Sequence, residues 1–215
     1  MLPDKTTLKK IWAEVPSDYY YQLNWLQRQW HDRKWKTIKS LVTDDSFRPK
    51  TILEVGCSSG HLSNLLSKTF PYAKVTGIDV YKPVIIEAKK RNPKLTFKVA
   101  DAHRLPFPDR SFDLVVCSET VEHVVDPGQV IHEMTRVLTS RGRALIEMDS
   151  GSPLFRIVWL LWVTWGKGRV WKHAHLHPFT AEELEKEIAG NGFVVREKKF
   201  SHLGMAVSFL VTKSY

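Results

Sequence analysis

Three acidic residues and a glycine-containing turn carry the clearest chemical signal in this sequence. Glu54 precedes the turn Gly56 to Gly60, Asp79 follows Gly56 by 23 positions, and Asp101 comes after a further apolar segment. Glycines let a backbone approach a ligand closely, and an acid at the end of the next strand can accept hydrogen bonds from ribose hydroxyls. The pattern therefore predicts a site for a ligand that contains a nucleoside.

Nicotinamide dinucleotides use the same kind of site, with three glycines in a G-x-G-x-x-G turn. Here Gly56 and Gly60 are separated by three residues, and Ser58 stands between them. The nearby acids Glu54 and Asp101 would repel a pyrophosphate, whereas they would attract a ligand that carries sulfonium and ammonium groups. The sequence therefore predicts a cationic cofactor.

The elements that must position these residues alternate along the chain. From Thr51 onward, short apolar runs alternate with helical patterns, which is typical of a parallel sheet with crossover helices. Such sheets bind ligands at the carboxyl ends of their strands, where the turn and the acids would meet. The predicted strands are Thr51 to Val55, Lys74 to Asp79, Leu95 to Val99, Phe112 to Cys117 and Arg143 to Met148, with closing strands at Phe193 to Arg196 and Ala206 to Thr212.

Two helices have recognisable ends. Asp126 and Pro127 predict the start of one helix, and Gly142 is expected shortly after its close. Thr180 and Glu183 have capping-box spacing for a second helix, which should end near Gly190 to Gly192. The predicted fold is α/β and Rossmann-like: a doubly wound, mostly parallel seven-stranded sheet with helices on both faces.

We expect a single domain, because 215 residues with 43% apolar content can bury a substantial core. Residues 1–45 would form an N-terminal helical cap, 46–149 the cofactor-binding core, 150–179 an aromatic-rich, substrate-side insert after the fifth strand, and 180–215 the closing helix and strands. Leu154 to Trp165 in the insert is apolar but too short to span a bilayer core of about 30 Å. It could instead lie on a membrane surface.

Five motifs in order resemble the class I S-adenosylmethionine-dependent methyltransferases, and in particular their type 11 branch of small-molecule enzymes. The motifs are ILEVGCSSG, the acid in GIDV, Ala100-Asp101-Ala102, LPFPDRSFDLVVCSETVEHV, and a helix that leads to RALIEM. Together they cover about Thr51 to Met148. The family turn usually has a further glycine where this chain has Ser58, which makes the turn less permissive but leaves the acid and the flanking glycines in place.

The resemblance implies S-adenosylmethionine as the cofactor and assigns residues to its methionine part. Glu54, Gly56 and Gly60 would frame that part, and Cys57 and Ser58 would lie in the turn against it.

The same resemblance places the nucleoside. Asp79 would bind the ribose, with Val80 against the adenine face. Asp101 would accept a hydrogen bond from the adenine amino group, with Ala102 beside it. The alternative is that Asp79 and Asp101 are ordinary acids at strand ends.

The catalytic candidates follow the fourth strand. A sulfonium already makes the methyl group electrophilic, so the enzyme mainly needs to align the acceptor and exclude water. The resemblance implies that Ser118 and Glu119 lie closest to the reacting methyl. A base would help a hydroxyl acceptor, and Glu119, Glu122 and His123 lie just beyond the strand that faces the reacting centre, with Glu119 and His123 as the catalytic candidates. Alternatively, Glu122 and His123 only pack at the start of a loop.

The insert carries further candidates. His173, His175 and His177 alternate, which could place them on one face of an extended segment like metal ligands. No acid or cysteine completes a set nearby, so we predict no metal and expect one of these histidines to line the acceptor pocket. The tryptophans at 159, 162, 165 and 171 would form an apolar wall for a lipid-like or aromatic acceptor. Alternatively, they pack against the N-terminal cap.

Charge and cysteine content give weaker indications. The formal charge is +9, which would attract nucleic acid, anionic lipid or phosphorylated small molecules. Alternatively, the basic residues form a solvated surface. No signal-peptide pattern is visible, and the only cysteines, Cys57 and Cys117, are expected to be buried thiols. We therefore predict a cytoplasmic protein. Its positive charge could bring it into peripheral contact with an anionic membrane surface. Examples of the scattered bases are Lys34, Lys36, Lys39, Lys198 and Lys199.

The sequence favours a methyltransferase that acts on a small-molecule acceptor. An RNA methyltransferase is the second hypothesis, because Arg28, Arg33 and Lys34 are interleaved with tryptophans, although no separate RNA-binding module is visible. A cofactor-binding regulatory protein that lacks transfer activity is the third.

Overall fold

A computed structural model of the chain describes residues 16–44, 46–165, 168 and 175–214. Its helices are α1 (Trp25–Val42), α2 (His61–Thr69), α3 (Lys82–Arg91), α4 (Pro127–Val137), α5 (Pro153–Trp165) and α6 (Ala181–Gly190). Its strands are β1 (Thr51–Val55), β2 (Lys74–Asp79), β3 (Thr96–Val99), β4 (Phe112–Ser118), β5 (Leu138–Asp149), β6 (Phe193–Ser201) and β7 (Ala206–Lys213).

The seven strands form one sheet in the order β3-β2-β1-β4-β5-β7-β6. Neighbours from β3 to β5 pair in parallel, whereas β7 is antiparallel to both β5 and β6. The predicted mostly parallel, Rossmann-like sheet is therefore confirmed. From β1 the chain adds β2 and β3 on one side and then β4 and β5 on the other. The strand order therefore reverses between β1 and β4, which is where ligands bind in sheets of this kind.

The two capped helices begin at the predicted residues. The Asp126 side chain accepts a hydrogen bond of 3.0 Å from the amide of Gln129. Thr180 and Glu183 exchange bonds of 2.7 and 3.2 Å between side chain and amide, so the capping box is present. Both caps satisfy amides that the first helical turn leaves without a partner.

The end of α4 differs from its prediction. The helix stops at Val137, the chain becomes extended at the buried Leu138, and β5 begins there rather than at Arg143. Gly142 consequently lies inside β5 and does not terminate the helix. A Cβ atom at Gly142 would lie 2.7 Å from the Leu138 side chain, so the glycine makes room for that leucine.

The sheet separates two apolar layers, because side chains alternate across a strand. Leu53 and Val55 of β1 face the layer that α4 and α6 cover, while Ile52 faces the opposite layer. The second layer includes Ile38 and Leu41 of α1. The N-terminal helix is thus a covering element of the sheet. Within the described part of the chain, no helix is long and apolar enough to cross a membrane.

Candidate active site

A cavity of about 660 Å³ lies at the carboxyl ends of β1 to β5, within the range of ~300–1,000 Å³ usual for small-molecule sites. Residues from five strand ends line it, which brings together most of the predicted site. These residues include Gly56, Ser58, Asp79, Val80, Asp101, Ala102, Ser118, Glu119 and His123 among those predicted, and Thr120 and Asp149 in addition.

The turn after β1 is held in a left-handed conformation. Gly56 has a φ of 75°, and a Cβ atom there would lie 2.1 Å from Oγ1 of Thr120, so only glycine fits. Ser58 also has a positive φ, of 44°, which is strained for a residue with a side chain. Its amide donates a 2.9 Å hydrogen bond to Oδ2 of Asp79, so the turn is tied to the end of β2.

The Asp79 carboxylate lies at the cavity wall and is held by backbone groups. Besides the amide of Ser58, the amide of Tyr81 donates to its Oδ1 at 2.9 Å. Burial raises the pKa of Asp79, and the backbone amides of Tyr81, Ser58 and Val80 only partly offset this effect. Each oxygen can accept a further hydrogen bond, as ribose binding requires.

Glu54 and Cys57 do not line the large cavity. They border a small cavity of about 30 Å³ behind the turn, together with Gly56 and Ser58. Glu54 accepts a hydrogen bond from the hydroxyl of Ser63, and burial raises the pKa of Glu54 to about 8. The structure therefore places the Glu54 carboxyl behind the backbone that faces a ligand.

Gly60 lines neither cavity. It precedes α2 with a φ of 78°, and a Cβ atom there would lie 2.7 Å from the ring of Phe97. This glycine lets the turn enter α2 against the β3 side chain. The predicted contact of Gly60 with the methionine part stays a prediction.

Asp101 and Ala102 follow β3, and both line the cavity. Oδ1 of Asp101 contacts the amide of His103 at 3.0 Å and its Nδ1 at 2.6 Å. Nε2 of His103 lies 3.2 Å from the amide of Asp126 and can only accept there, so Nδ1 carries the proton and donates to Asp101. Sequence reasoning missed this role of His103.

A buried ion cluster lies at the ends of β4 and β5. Nζ of Lys34, on α1, donates to Oε1 of Glu119 and lies 3.2 Å from Oε1 of Glu147 and 3.7 Å from Oδ1 of Asp149. The hydroxyl of Ser118 donates to the other oxygen of Glu147. Lys34 is only 3% exposed, which corrects its place among the solvated basic residues.

The cluster sets the charge on this side of the cavity. Burial alone would raise the pKa of Glu119, but Lys34 and His31 lower it to about 2, so this carboxylate is ionised. Burial raises the pKa of Asp149 to about 7 and also raises that of Glu147. Burial alone would lower the pKa of Lys34, but its carboxylate neighbours raise that pKa above the usual value.

An aromatic wall closes the far side of the cavity. Phe155, Trp159 and Trp162 of α5 line it, and the ring of His175 stacks on Trp159 with 4.2 Å between centroids. His177 does not line the cavity; its Nε2 lies 3.3 Å from the carbonyl oxygen of Val125. Trp171 and His173, predicted for the same wall, lie outside the described residues.

Glu122 is the acid that the sequence did not bring near these histidines. It lies in the single turn Val121–His123, is 2% exposed, and has ligand-type atoms within 4.8 Å of those of His123 and His175. We expected no acid near the histidines of the insert, and none lies close to them along the chain. In the fold, however, Glu122 lies beside His175.

Sequence reasoning also missed Lys34, Thr120, Glu147 and Asp149. The sequence did contain a signal for Glu147 and Asp149. The carboxyl end of a central parallel strand faces the ligand edge, and both acids lie at that end of the segment RALIEMD. No such signal existed for Lys34, since its partners lie 85 or more positions away.

Comparisons with known proteins agree with this geometry. Residues 53–146 match the family described as "Methyltransferase domain". The chain is 34% identical over 116 residues to a demethylmenaquinone methyltransferase of Thermotoga maritima, covering 54% of this chain and 50% of that protein. It is 26% identical over 214 residues to a demethylmenaquinone methyltransferase of Symbiobacterium thermophilum, covering 86% and 83%. The chain thus spans only about half the length of the first of these relatives.

A solved structure gives the same fold. The magnesium protoporphyrin IX methyltransferase of Synechocystis PCC 6803, crystallised with bound SAH, superimposes with a TM-score of 0.76 over 98% of this chain and 100% of that one. The two sequences are 18% identical, so this likeness establishes the fold.

Proposed function

Because this chain carries a class I S-adenosylmethionine-dependent methyltransferase domain, we propose that it transfers the methyl group of S-adenosylmethionine to a small, apolar, lipid-like or aromatic acceptor. One observation carries the proposal: a single cavity joins the Gly56 turn, Asp79 and Asp101 to the aromatic wall of α5. The first group suits a cationic nucleoside and the second suits an apolar ring.

The residues present fit the cofactor. Asp79 would bind the ribose hydroxyls, Asp101 the adenine amino group, and the backbone from Gly56 to Ser58 the methionine part. Asp79, Asp101, Glu119 and Asp149 line the cavity, whereas no lysine or arginine of the described residues does, so a sulfonium is favoured there over a phosphate. When bound, the cofactor supplies an electrophilic methyl group.

The chain's own residues would hold the acceptor and exclude water. Trp159 and Trp162 offer flat apolar surfaces to a ring, which is consistent with relatives named for demethylmenaquinone and with a structural neighbour named for a porphyrin. Glu119 and His123 remain the candidates for contacting the acceptor. Because the pKa of Glu119 is about 2, this residue is a weak base but a strong hydrogen-bond acceptor for a hydroxyl.

Titration calorimetry tests the cofactor assignment. S-adenosylmethionine and NADH are titrated separately into the wild type, into Asp79→Asn, and into the control Asp109→Asn, whose carboxylate is 72% exposed and does not line the cavity. We expect the wild type and Asp109→Asn to bind only S-adenosylmethionine, and Asp79→Asn to bind it about 10- to 100-fold more weakly, as expected for a lost charged hydrogen bond. Binding of NADH instead, or of neither ligand, would refute the proposal.

Peripheral contact with an anionic membrane is a second part of the proposal. One side of α5 lines the cavity, while the exposed apolar residues of the same helix would lie in the interface. The most exposed of them are Ile157 (59%), Leu160 (63%) and Trp165 (80%). An acceptor dissolved in the bilayer would then be close to the cavity.

Liposome flotation tests the membrane contact. We expect more protein to float with anionic than with neutral vesicles, and the double variant Ile157→Ser/Leu160→Ser to lose flotation. The control Tyr72→Ser removes a side chain that is 99% exposed before the amino end of β2, at the opposite edge of the sheet. Equal recovery with both vesicle types, or recovery with neither, contradicts the contact.

Of the other two hypotheses, RNA methylation has less support. RNA methylation depended partly on Lys34, which is buried against carboxylates and cannot reach a phosphate. The carboxylates of Asp79 and Asp101 at the cavity argue against lost cofactor binding. They do not argue against lost methyl transfer, so a regulatory protein that binds the cofactor is separated from the proposal by an assay of methyl transfer. A salt-dependent shift of RNA in a gel would restore the first hypothesis.

A further inference from the structure

Glu122 has an environment that its own protein neighbours do not satisfy. Its side chain is 2% exposed, and neither Oε1 nor Oε2 has a hydrogen-bond partner among the described residues. A buried carboxylate without partners is strongly destabilising. Protonation would remove the charge but would still leave a buried hydroxyl and carbonyl unpaired.

Two imidazole rings lie beside this carboxylate. Nε2 of His123 is 4.0 Å from Oε1 of Glu122, and the rings of His123 and His175 have centroids 4.8 Å apart. One carboxylate oxygen of Glu122 and one ring nitrogen from each histidine all lie within 4.8 Å of one another.

The backbone fixes this arrangement. The amides of Leu176 and His177 donate to the carbonyl oxygen of Glu122 at 2.9 and 3.1 Å, which pins the segment after His175 onto the turn that carries the acid. Stacking on Trp159 restrains the His175 ring. These contacts hold Glu122 and His175 close together, and His123 belongs to the same turn as Glu122.

The surroundings favour a cation. The carboxyl groups of Glu119, Glu147 and Asp149 lie close enough to Glu122 to interact with it electrostatically. One ammonium, that of Lys34, contacts those three carboxylates. Four carboxyl groups therefore share a single positive side chain in this part of the described structure.

We propose that Glu122, His123 and His175 bind one divalent transition-metal ion, such as Zn²⁺. Two imidazoles and one carboxylate are a ligand set for first-row metals, and three protein ligands leave a coordination position open. Side-chain rotations would bring the ligand atoms to about 2.0–2.2 Å from the ion.

The open position would face the acceptor. His123 and His175 line the large cavity whereas Glu122 lies behind them, so an ion between the three residues is accessible from the cavity. An oxygen atom of the acceptor could coordinate there, which would orient the acceptor towards the methyl donor. This role depends on the proposed function, while metal binding itself does not. As a metal ligand, His123 would position the acceptor and would not serve as a general base.

The test uses the full chain, dialysed against a chelator and titrated with Zn²⁺ in a calorimeter, with Co²⁺ as a second probe whose absorption spectrum reports coordination. We expect one ion to bind per chain. Glu122→Gln and His175→Ala should each weaken binding on the order of 100-fold, at least as much as losing an outer-shell partner costs. His177→Ala is the matched control, because His177 lies on the same segment outside the ligand set.

Circular dichroism of each variant verifies folding, and Glu122→Gln keeps the size and shape of the side chain. Absence of Zn²⁺ binding in the folded wild type, or binding that both ligand variants leave unchanged, overturns the metal site.

Titration of S-adenosylmethionine into metal-free protein and Glu122→Gln separates the two proposals. Zn²⁺ binding without S-adenosylmethionine binding supports the metal site and refutes the proposed function. The reverse result supports the proposed function and refutes the metal site.

Discussion

The two sides of the cavity satisfy their acids in different ways. On the side of β1 to β3, Asp79 and Asp101 accept hydrogen bonds from backbone amides, some only two residues away. On the side of β4 and β5, Glu119 and Glu147 depend on Lys34, which comes from a helix before the first strand. The first arrangement is local, whereas the second exists only once the whole chain has folded. Substitutions should therefore affect binding on the first side and stability on the second.

The largest effect should come from Lys34→Met. This substitution leaves the carboxyl groups of Glu119, Glu147 and Asp149 buried without their cation, and breaking a buried pair costs about 3–5 kcal/mol. Urea denaturation should show this loss in the free energy of unfolding. The control Lys36→Met changes an exposed residue of the same helix and should stay within about 0.5 kcal/mol. A loss below about 1 kcal/mol for Lys34→Met would show that the cluster is not integral to the fold.

The next largest effect should be on the other side. Asp101→Asn keeps a hydrogen-bond acceptor but loses the charge that the adenine amino group favours, so S-adenosylmethionine should bind about 10-fold more weakly. Stability should change little, because the acid is 36% exposed. Calorimetry and urea denaturation on the same sample compare the two effects. A large loss of stability with unchanged affinity would reverse the comparison.

Sequence reasoning predicted the first side well because its information is local. A glycine turn, an acid at a strand end and a capping residue each leave a pattern within a few positions, as at Gly56, Asp79 and Asp126. The ion cluster left no such pattern, since Lys34 looks like any other lysine of an amphipathic helix until α1 packs on the sheet. The pairing of Glu122 with His175 depends equally on long-range packing. Sheet order and helix starts followed from periodicity, whereas the early start of β5 depended on the burial of Leu138.

A pH series should give a smaller effect. Burial raises the pKa of Glu54 to about 8, so its carboxyl is mostly protonated at pH 7 and ionised at pH 9. Because a carboxylate attracts a cationic ligand, the affinity of the wild type for S-adenosylmethionine, divided by that of Glu54→Gln, should rise between these values. The ratio cancels any titration of the ligand itself. A ratio that stays constant or falls would mean that Glu54 does not sense the cofactor.

The smallest effect should come from Ser58→Gly. Glycine adopts the left-handed conformation of residue 58 without strain, so the variant should be more stable by about 0.5–1 kcal/mol in thermal denaturation, with cofactor affinity retained. Ser67→Gly, inside α2, is the matched control and should be less stable by a similar amount. If both variants lose stability, the Ser58 side chain stabilises the turn by more than the strained backbone conformation costs.

Thr120 packs so closely on Gly56 that the two sides of the cavity share one mechanical contact. The loop that carries Glu119, Glu122 and His123 cannot move towards the turn after β1 without displacing it. A ligand that shifts either loop therefore changes the free energy of binding at the other, and by thermodynamic reciprocity the coupling is equal in both directions. The threonine thus gives the protein a means of making the binding of one substrate depend on the presence of the other.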